Sequence, residues 1–154
     1  MKSLGRDGYS MQHSREHAQL LLRKARQDEF ALEKLIADPS VPDEIIGFHA
    51  QQAIEKTLKA VLTNCGLSYG RTHNLGELLK LLGASGFPLP EEFQEMRRLT
   101  PFAVDFRYED IPLTLDKPFD RFWARDCVSK VRSWAESTVR DNEGGQPPGG
   151  GGSV

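Results

Sequence analysis

Three short stretches concentrate the residues able to do chemistry: "GFHAQQAIEKTLKAVL" (47–62), "GRTHNLGELLK" (70–80) and "LTPFAVDFRYED" (99–110). The first carries His49, Gln51, Gln52, Glu55, Lys56 and Lys59, the second Arg71 and His73, and the third Asp105, Arg107 and Tyr108. Imidazoles suit proton transfer, and lysine and arginine suit the binding of phosphate. Asn74 and Glu77 have the three-residue spacing of a capping box. Arg71 and His73 therefore stand just ahead of a helix N-terminus, where free N–H groups and the helix dipole favour an anion. A purely structural reading competes at each stretch. Glu55–Lys59 is an i,i+4 pair that supports a helix by about 0.2–0.5 kcal/mol. His49 can be a packing residue, Arg71 the partner of a nearby carboxylate, and His73 a staple of its turn. Asp105 and Arg107 can form an internal ion pair or reach Lys56 or Arg71.

Stepping residues 46–65 at about 100° each divides that helix into two arcs. Ile46, Ala50, Ala53, Ile54, Thr57, Leu58, Val61, Leu62 and Cys65 fill the apolar one. His49, Gln52, Glu55, Lys56, Lys59 and Thr63 fill the other. Gln51 falls between Leu58 and Leu62, so its amide is expected to be at least partly buried and to need partners, because an unpaired buried amide costs about 1–3 kcal/mol. Phe48 falls on the polar arc, which predicts that another helix or another subunit covers it. A homodimer is the favoured form of that cover.

The elements that must position these groups are helical. The first is predicted from Ser14, as N-cap, to about Ala37, with Ala18, Leu21, Leu22, Ala25, Leu32, Leu35 and Ile36 on one face and Asp28 and Glu29 interrupting it. "DPSVPDE" breaks the chain, and Pro42 with the following acids opens a second helix that ends near Gly66. A third spans about Leu75–Leu82 and is closed by Gly83 and Gly86. A fourth begins at "PEEF" and breaks at Thr100-Pro101, with Thr100 capping a new segment. "EDIPLT" is an irregular connector. The last helix, about Asp116–Arg140, is expected to bury Phe119, Phe122, Trp123, Val128, Val131, Trp134 and Ala135. No stretch alternates as a strand does, so the fold class is all-α: an up-and-down bundle of about five helices on a four-helix core. Residues 1–13 read as a flexible arm, 14–142 as the bundle and 143–154 as a disordered Gly/Pro-rich tail.

The composition bounds the function. The 154 residues make one domain, and a net charge of −2 excludes a globally basic surface, so contact with nucleic acid would need a local patch. Cys65 and Cys127 stand apart from most histidines, which argues against zinc, and no cofactor is indicated. No leader-like or membrane-length apolar run is visible. The expectation is a cytoplasmic protein with reduced thiols and no membrane contact.

"FHAQQAIEKTLKAVL", "RTHNL" and "LTPFAVDFRY", in this order, resemble the small stand-alone HEPN (higher eukaryotes and prokaryotes nucleotide-binding) family over roughly residues 14–140. The resemblance implies a dimerising helical bundle and a link to nucleotides or RNA. It also implies a minimal nucleotidyltransferase partner in a toxin–antitoxin or defence module. Carried over by position, Phe48, His49, Gln51, Gln52, Glu55, Lys56, Lys59, Arg71, His73, Asp105, Arg107 and Tyr108 match, all but Phe48 as ligand-binding candidates. Asn74 departs from the usual aspartate, and Phe102 from a tyrosine whose hydroxyl would be available to a ligand. Many RNA-cutting members resemble one another in an Arg, four to six residues, then a His late in the domain. Here no histidine follows His73, and only Arg6 and His13 have the spacing, in the arm. The reading is therefore a binding protein without an assigned catalytic residue. A metal-independent ribonuclease with a non-standard His site and a purely structural dimerisation module remain as alternatives.

Overall fold

The structure, a computed structural model, describes residues 4–103 and 118–143. Asp105, Arg107, Tyr108, the "EDIPLT" connector and the tail beyond Glu143 lie outside the described residues. The described chain holds α1 (Leu4–Leu35), α2 (Asp43–Asn64), α3 (Leu75–Ala84), a 3-10 segment (Glu91–Phe102) and α4 (Arg121–Glu143), with no strand. This is the expected all-α bundle. Its axis is α2, which packs against every other segment, while α3 lies mainly on the 3-10 segment.

α1 begins at Leu4, ten residues before Ser14, so Ser14 is not its cap and residues 4–13 are helical where a loose arm was expected. An apolar period marks where a helix packs, and its absence does not stop a proline-free stretch from extending one. The buried stripe is Ala18, Ala25 and Leu32, seven residues apart, followed by Ile36. Beyond α1 the Asp38 carboxylate accepts from the Ser40 amide (2.9 Å) and hydroxyl (2.6 Å), which holds its pKa below the usual carboxylate value.

α2 starts after Pro42 with Asp43 and Glu44 in its first turn, where negative charge opposes the dipole. It ends in a Schellman motif: Leu67 N–H donates to Leu62 O (2.9 Å) and Gly66 N–H to Thr63 O (2.9 Å), with Gly66 at φ 72°. α3 ends the same way at Gly86 (φ 93°), so Gly83 lies inside the helix rather than closing it.

The fourth element differs from the α-helix expected at "PEEF". Phe93, Met96, Leu99 and Phe102 are its buried residues, one every third position. That spacing drifts around an α-helix of 3.6 residues per turn but stays on one face at three per turn, which favours a 3-10 run of twelve residues. Thr100 lies inside this run, which continues through Pro101 to Phe102, and its Oγ1 accepts from the Leu75 amide of α3 (3.2 Å).

α4 starts later than Asp116. Asp120 is its N-cap, with Oδ1 accepting from the Phe122 and Trp123 amides at 2.9 and 3.1 Å. Ala124, Cys127, Val128, Val131 and Ala135 form its buried stripe, whereas Phe122, expected inside, is 52% exposed with the Arg125 guanidinium over its ring. Phe119, Trp123 and Trp134 are half-buried against the core, and Trp134 meets Phe87 and Phe93 edge-on. Arg121 ties the far side together. Its guanidinium donates to Ile36 O (3.1 Å), Asp38 O (3.1 Å), Val41 O (2.7 Å) and the Asp43 carboxylate (2.7 Å).

Phe102 belongs to the core. It is 4% exposed, and a Cβ on Gly47 would stand 2.3 Å from its ring, so the bare backbone of α2 at Gly47 is the seat for this side chain. The ring also meets Phe119 at 4.8 Å. The aromatic thus serves packing, and the tyrosine-to-phenylalanine difference falls on a buried position rather than on an open site.

Candidate functional site

Much of the polar set in the middle of α2 is buried. Gln51, Gln52 and Glu55 are 0%, 8% and 4% exposed, because α1 and the connector between α2 and α3 cover the arc that the helical projection leaves polar. The cover comes from the same chain, so the polar arc does not itself require a second subunit. Phe48, on that arc, is half-buried with its ring edge-on to His49 at 5.3 Å.

Five of the candidates form one network. Gln51 Nε2 donates to Glu55 Oε1 (2.9 Å) and to the His73 carbonyl (3.0 Å), while Gln51 Oε1 accepts from Gln52 Nε2 (2.8 Å). The Glu55 carboxylate also meets His73 Nδ1 (3.0 Å) and accepts from Lys59 Nζ (3.0 Å). Lys59 lies over the Tyr69 ring at 5.2 Å, so the connector is held to α2 at both His73 and Tyr69. The expected buried amide at Gln51 thus has its partners, including a backbone carbonyl from a neighbouring turn. The His73 side chain is 45% exposed and Glu55 only 6%, which makes a buried carboxylate orienting a surface imidazole through Nδ1. Nε2 is left as the ring nitrogen with no protein partner among the described residues.

His49 and Lys56 belong to a second cluster. Asp28 of α1 takes His49 Nδ1 at 3.1 Å and Lys56 Nζ at 2.5 Å. Next to it Glu29 pairs with Arg132 of α4 at 2.8 Å. The two acids that break the apolar face of α1 are therefore cross-links, one to each neighbouring helix. They were visible in the sequence as an interruption, but their partners lie 21–103 positions away.

Arg71 is exposed and makes no ion pair among the described residues, so the expected carboxylate partner is not seen there. The first turn of α3 is already capped. Asn74 Oδ1 accepts from the Glu77 amide (3.2 Å) and Thr100 Oγ1 from the Leu75 amide. An anion at this corner would meet side chains more than helix N–H groups, which corrects the dipole-and-amide site expected from the capping box. Thr100 was missed because its partner lies 25 residues away.

A groove of about 610 Å³ opens beside the same cap, between α3 and the 3-10 segment, and none of the sequence-derived candidates lines it. No cluster of metal-ligating side chains exists among the described residues. Burial pushes the Cys127 thiol up to about 12 and raises that of Cys65, so both stay protonated near neutrality and neither has the character of a nucleophile. No described helix is long and apolar enough to cross a membrane.

A central helix with an internal amide–carboxylate cluster, clasping a histidine-bearing turn inside an all-α bundle, defines the class of protein. The chain belongs to the HEPN domain family, whose model matches residues 18–140, most of its length. No curated protein and no solved structure matches it. Membership implies a nucleotide- or RNA-related function.

Proposed function

We propose that this HEPN protein binds the phosphate group of a nucleotide or RNA through the turn before α3. We further propose that it does so as a homodimer, beside a minimal nucleotidyltransferase in a toxin–antitoxin or defence module. The observation that carries the binding reading is the Glu55–His73 clasp. A buried carboxylate and the Gln51 amide fix the His73 ring and backbone, so the imidazole edge and the exposed Arg71 guanidinium stand on one pre-positioned turn. Fixing the backbone of the turn and the imidazole lowers the ordering cost of binding there. The buried members, Gln51, Gln52, Glu55 and Lys59, act behind this surface by holding its shape. His49 and Lys56 do the same through Asp28.

Titration of the pure protein with ATP and with a short RNA tests the reading. Arg71→Ala is expected to weaken phosphate-ligand binding by about 1–3 kcal/mol, the range of a charge-assisted contact. Wild-type affinity in that variant removes the turn from the site. Unchanged thermal stability with both ligands favours a structural dimerisation module.

The same clasp favours one second reading, a metal-independent ribonuclease, because a carboxylate-oriented imidazole is a general-base arrangement. The late Arg-x4-6-His pair is missing from the sequence, and Arg6 and His13, which have the spacing, both fall within α1. The expected result is no cleavage of transfer or messenger RNA in EDTA. Cleavage that disappears in His73→Ala would replace binding with catalysis.

A further inference from the structure

The groove between α3 and the 3-10 segment carries cations that the protein leaves unmatched. Lys80 and Arg97 both line it, and neither has a carboxylate partner among the described residues. Among the described residues Arg97 bonds from Nε to the Gln94 carbonyl (3.2 Å) and neither Nη nitrogen has a partner. Of the acids that share the groove, Glu95 pairs with Arg98 at 3.8 Å, while Glu77 accepts from the Thr72 hydroxyl and keeps its charge; Lys80, Arg97 and Arg98 still outweigh the two carboxylates.

Space for Arg97 is made by a missing side chain. A Cβ on Gly76, in the first turn of α3, would stand 2.9 Å from Arg97 Cδ and 3.3 Å from Cγ. Glycine inside a helix costs about 0.5–1 kcal/mol relative to alanine, and the space it leaves here is filled by the arginine stem lying against the helix. At the other rim, Arg98 lines the groove with its guanidinium 4.7 Å from the Trp123 ring centroid, so the indole backs a flat cation that is still 36% exposed.

The geometry points to single-stranded RNA as the occupant of this groove, with Lys80 and Arg97 on successive phosphates and a base stacked on the Arg98 plane. This rests on the nucleotide- or RNA-binding reading above, names its ligand and extends it from the turn before α3 into the groove beside the Asn74 cap. Two unpaired cations on one groove suit neighbouring phosphates of a backbone, and bases stack on guanidinium planes as they do on aromatic rings. Duplex RNA presents its bases stacked inside and cannot use the Arg98 plane.

The test is anisotropy titration of a labelled single-stranded RNA octamer across a range of salt. Wild type, Lys80→Ala/Arg97→Ala, Gly76→Ala and Arg71→Ala are compared, with folding of each checked by circular dichroism. Loss of two phosphate contacts is expected to lower the slope of log affinity against log salt by about 1.4, at about 0.7 per contact on a single strand, with at least about tenfold weaker binding. Gly76→Ala keeps every charge, although its Cβ would also stand 3.1 Å from the capping Asn74 Oδ1. It is expected to weaken binding by displacing Arg97 while circular dichroism shows the helix content kept. Unchanged affinity and slope in the double surface variant, with wild type binding RNA, overturn the groove and leave the turn at Arg71 as the site. Binding of ATP but not of the octamer overturns the RNA assignment while the nucleotide reading stands. Binding of neither overturns both.

Discussion

At the residue scale, Gln51 shows how a misplaced amide becomes informative. Its position between Leu58 and Leu62 on the projected helix was enough to place it inside. Its partners were not legible, because they depend on Glu55 facing a turn 18 residues away and on that turn reaching back over α2. Replacing Gln51 with leucine keeps the volume but strips the His73 carbonyl and Gln52 of a partner. Urea unfolding is expected to show a loss of about 1–3 kcal/mol, the cost of buried groups left unsatisfied. A loss below about half a kcal/mol would mean that water replaces the amide. The opposite case is Phe102. Its difference from tyrosine looks in sequence like a lost hydroxyl, whereas in the structure the ring sits on Gly47.

At the element scale, α2 and its ends were legible because its apolar repeat, its acidic start and its terminal glycine agree with one another. The 3-10 segment was not, although its signal was present. Phe93, Met96, Leu99 and Phe102 keep a strict interval of three, which a search for 3.6-residue periodicity absorbs as a short, broken helix. Thr100 illustrates the other limit. Its neighbourhood with proline imitates a local N-cap, while its hydroxyl serves the start of α3. Thr100→Val preserves the shape and removes the acceptor from the Leu75 amide. Loss of such a cap is expected to cost about 0.5–2 kcal/mol by chemical denaturation. A neutral result would leave the capping of α3 to Asn74 alone.

At the scale of the whole molecule, the bundle closes around a helix that is polar on one arc and dry on almost all of it. The sequence announced both arcs but not that α1 and the connector of the same chain would cover the polar one, so the proposed homodimer draws on the family and not on this arc. Closure also governs the alkaline limit of stability. The Cys127 thiol titrates near 12 when folded and near 9.0 in the open chain, so above that lower value the unfolded state alone sheds the proton. Stability should therefore be unaffected by this group below pH 9.0 and decline as the pH rises from there toward 12. The contribution is at most about 1.4 kcal/mol per pH unit. Melting curves of wild type and Cys127→Ala across that window are expected to diverge in slope, and parallel curves would show the thiol reaching solvent.

One further consequence comes from Arg121. Its guanidinium gathers three carbonyl oxygens from the bend between the first two helices, although some eighty positions separate donor from acceptors. As the chain leaves the ribosome, that hairpin emerges with its bend open to water and must wait for the start of the last helix before it is latched. The order of synthesis leaves that bend unlatched until the last helix begins.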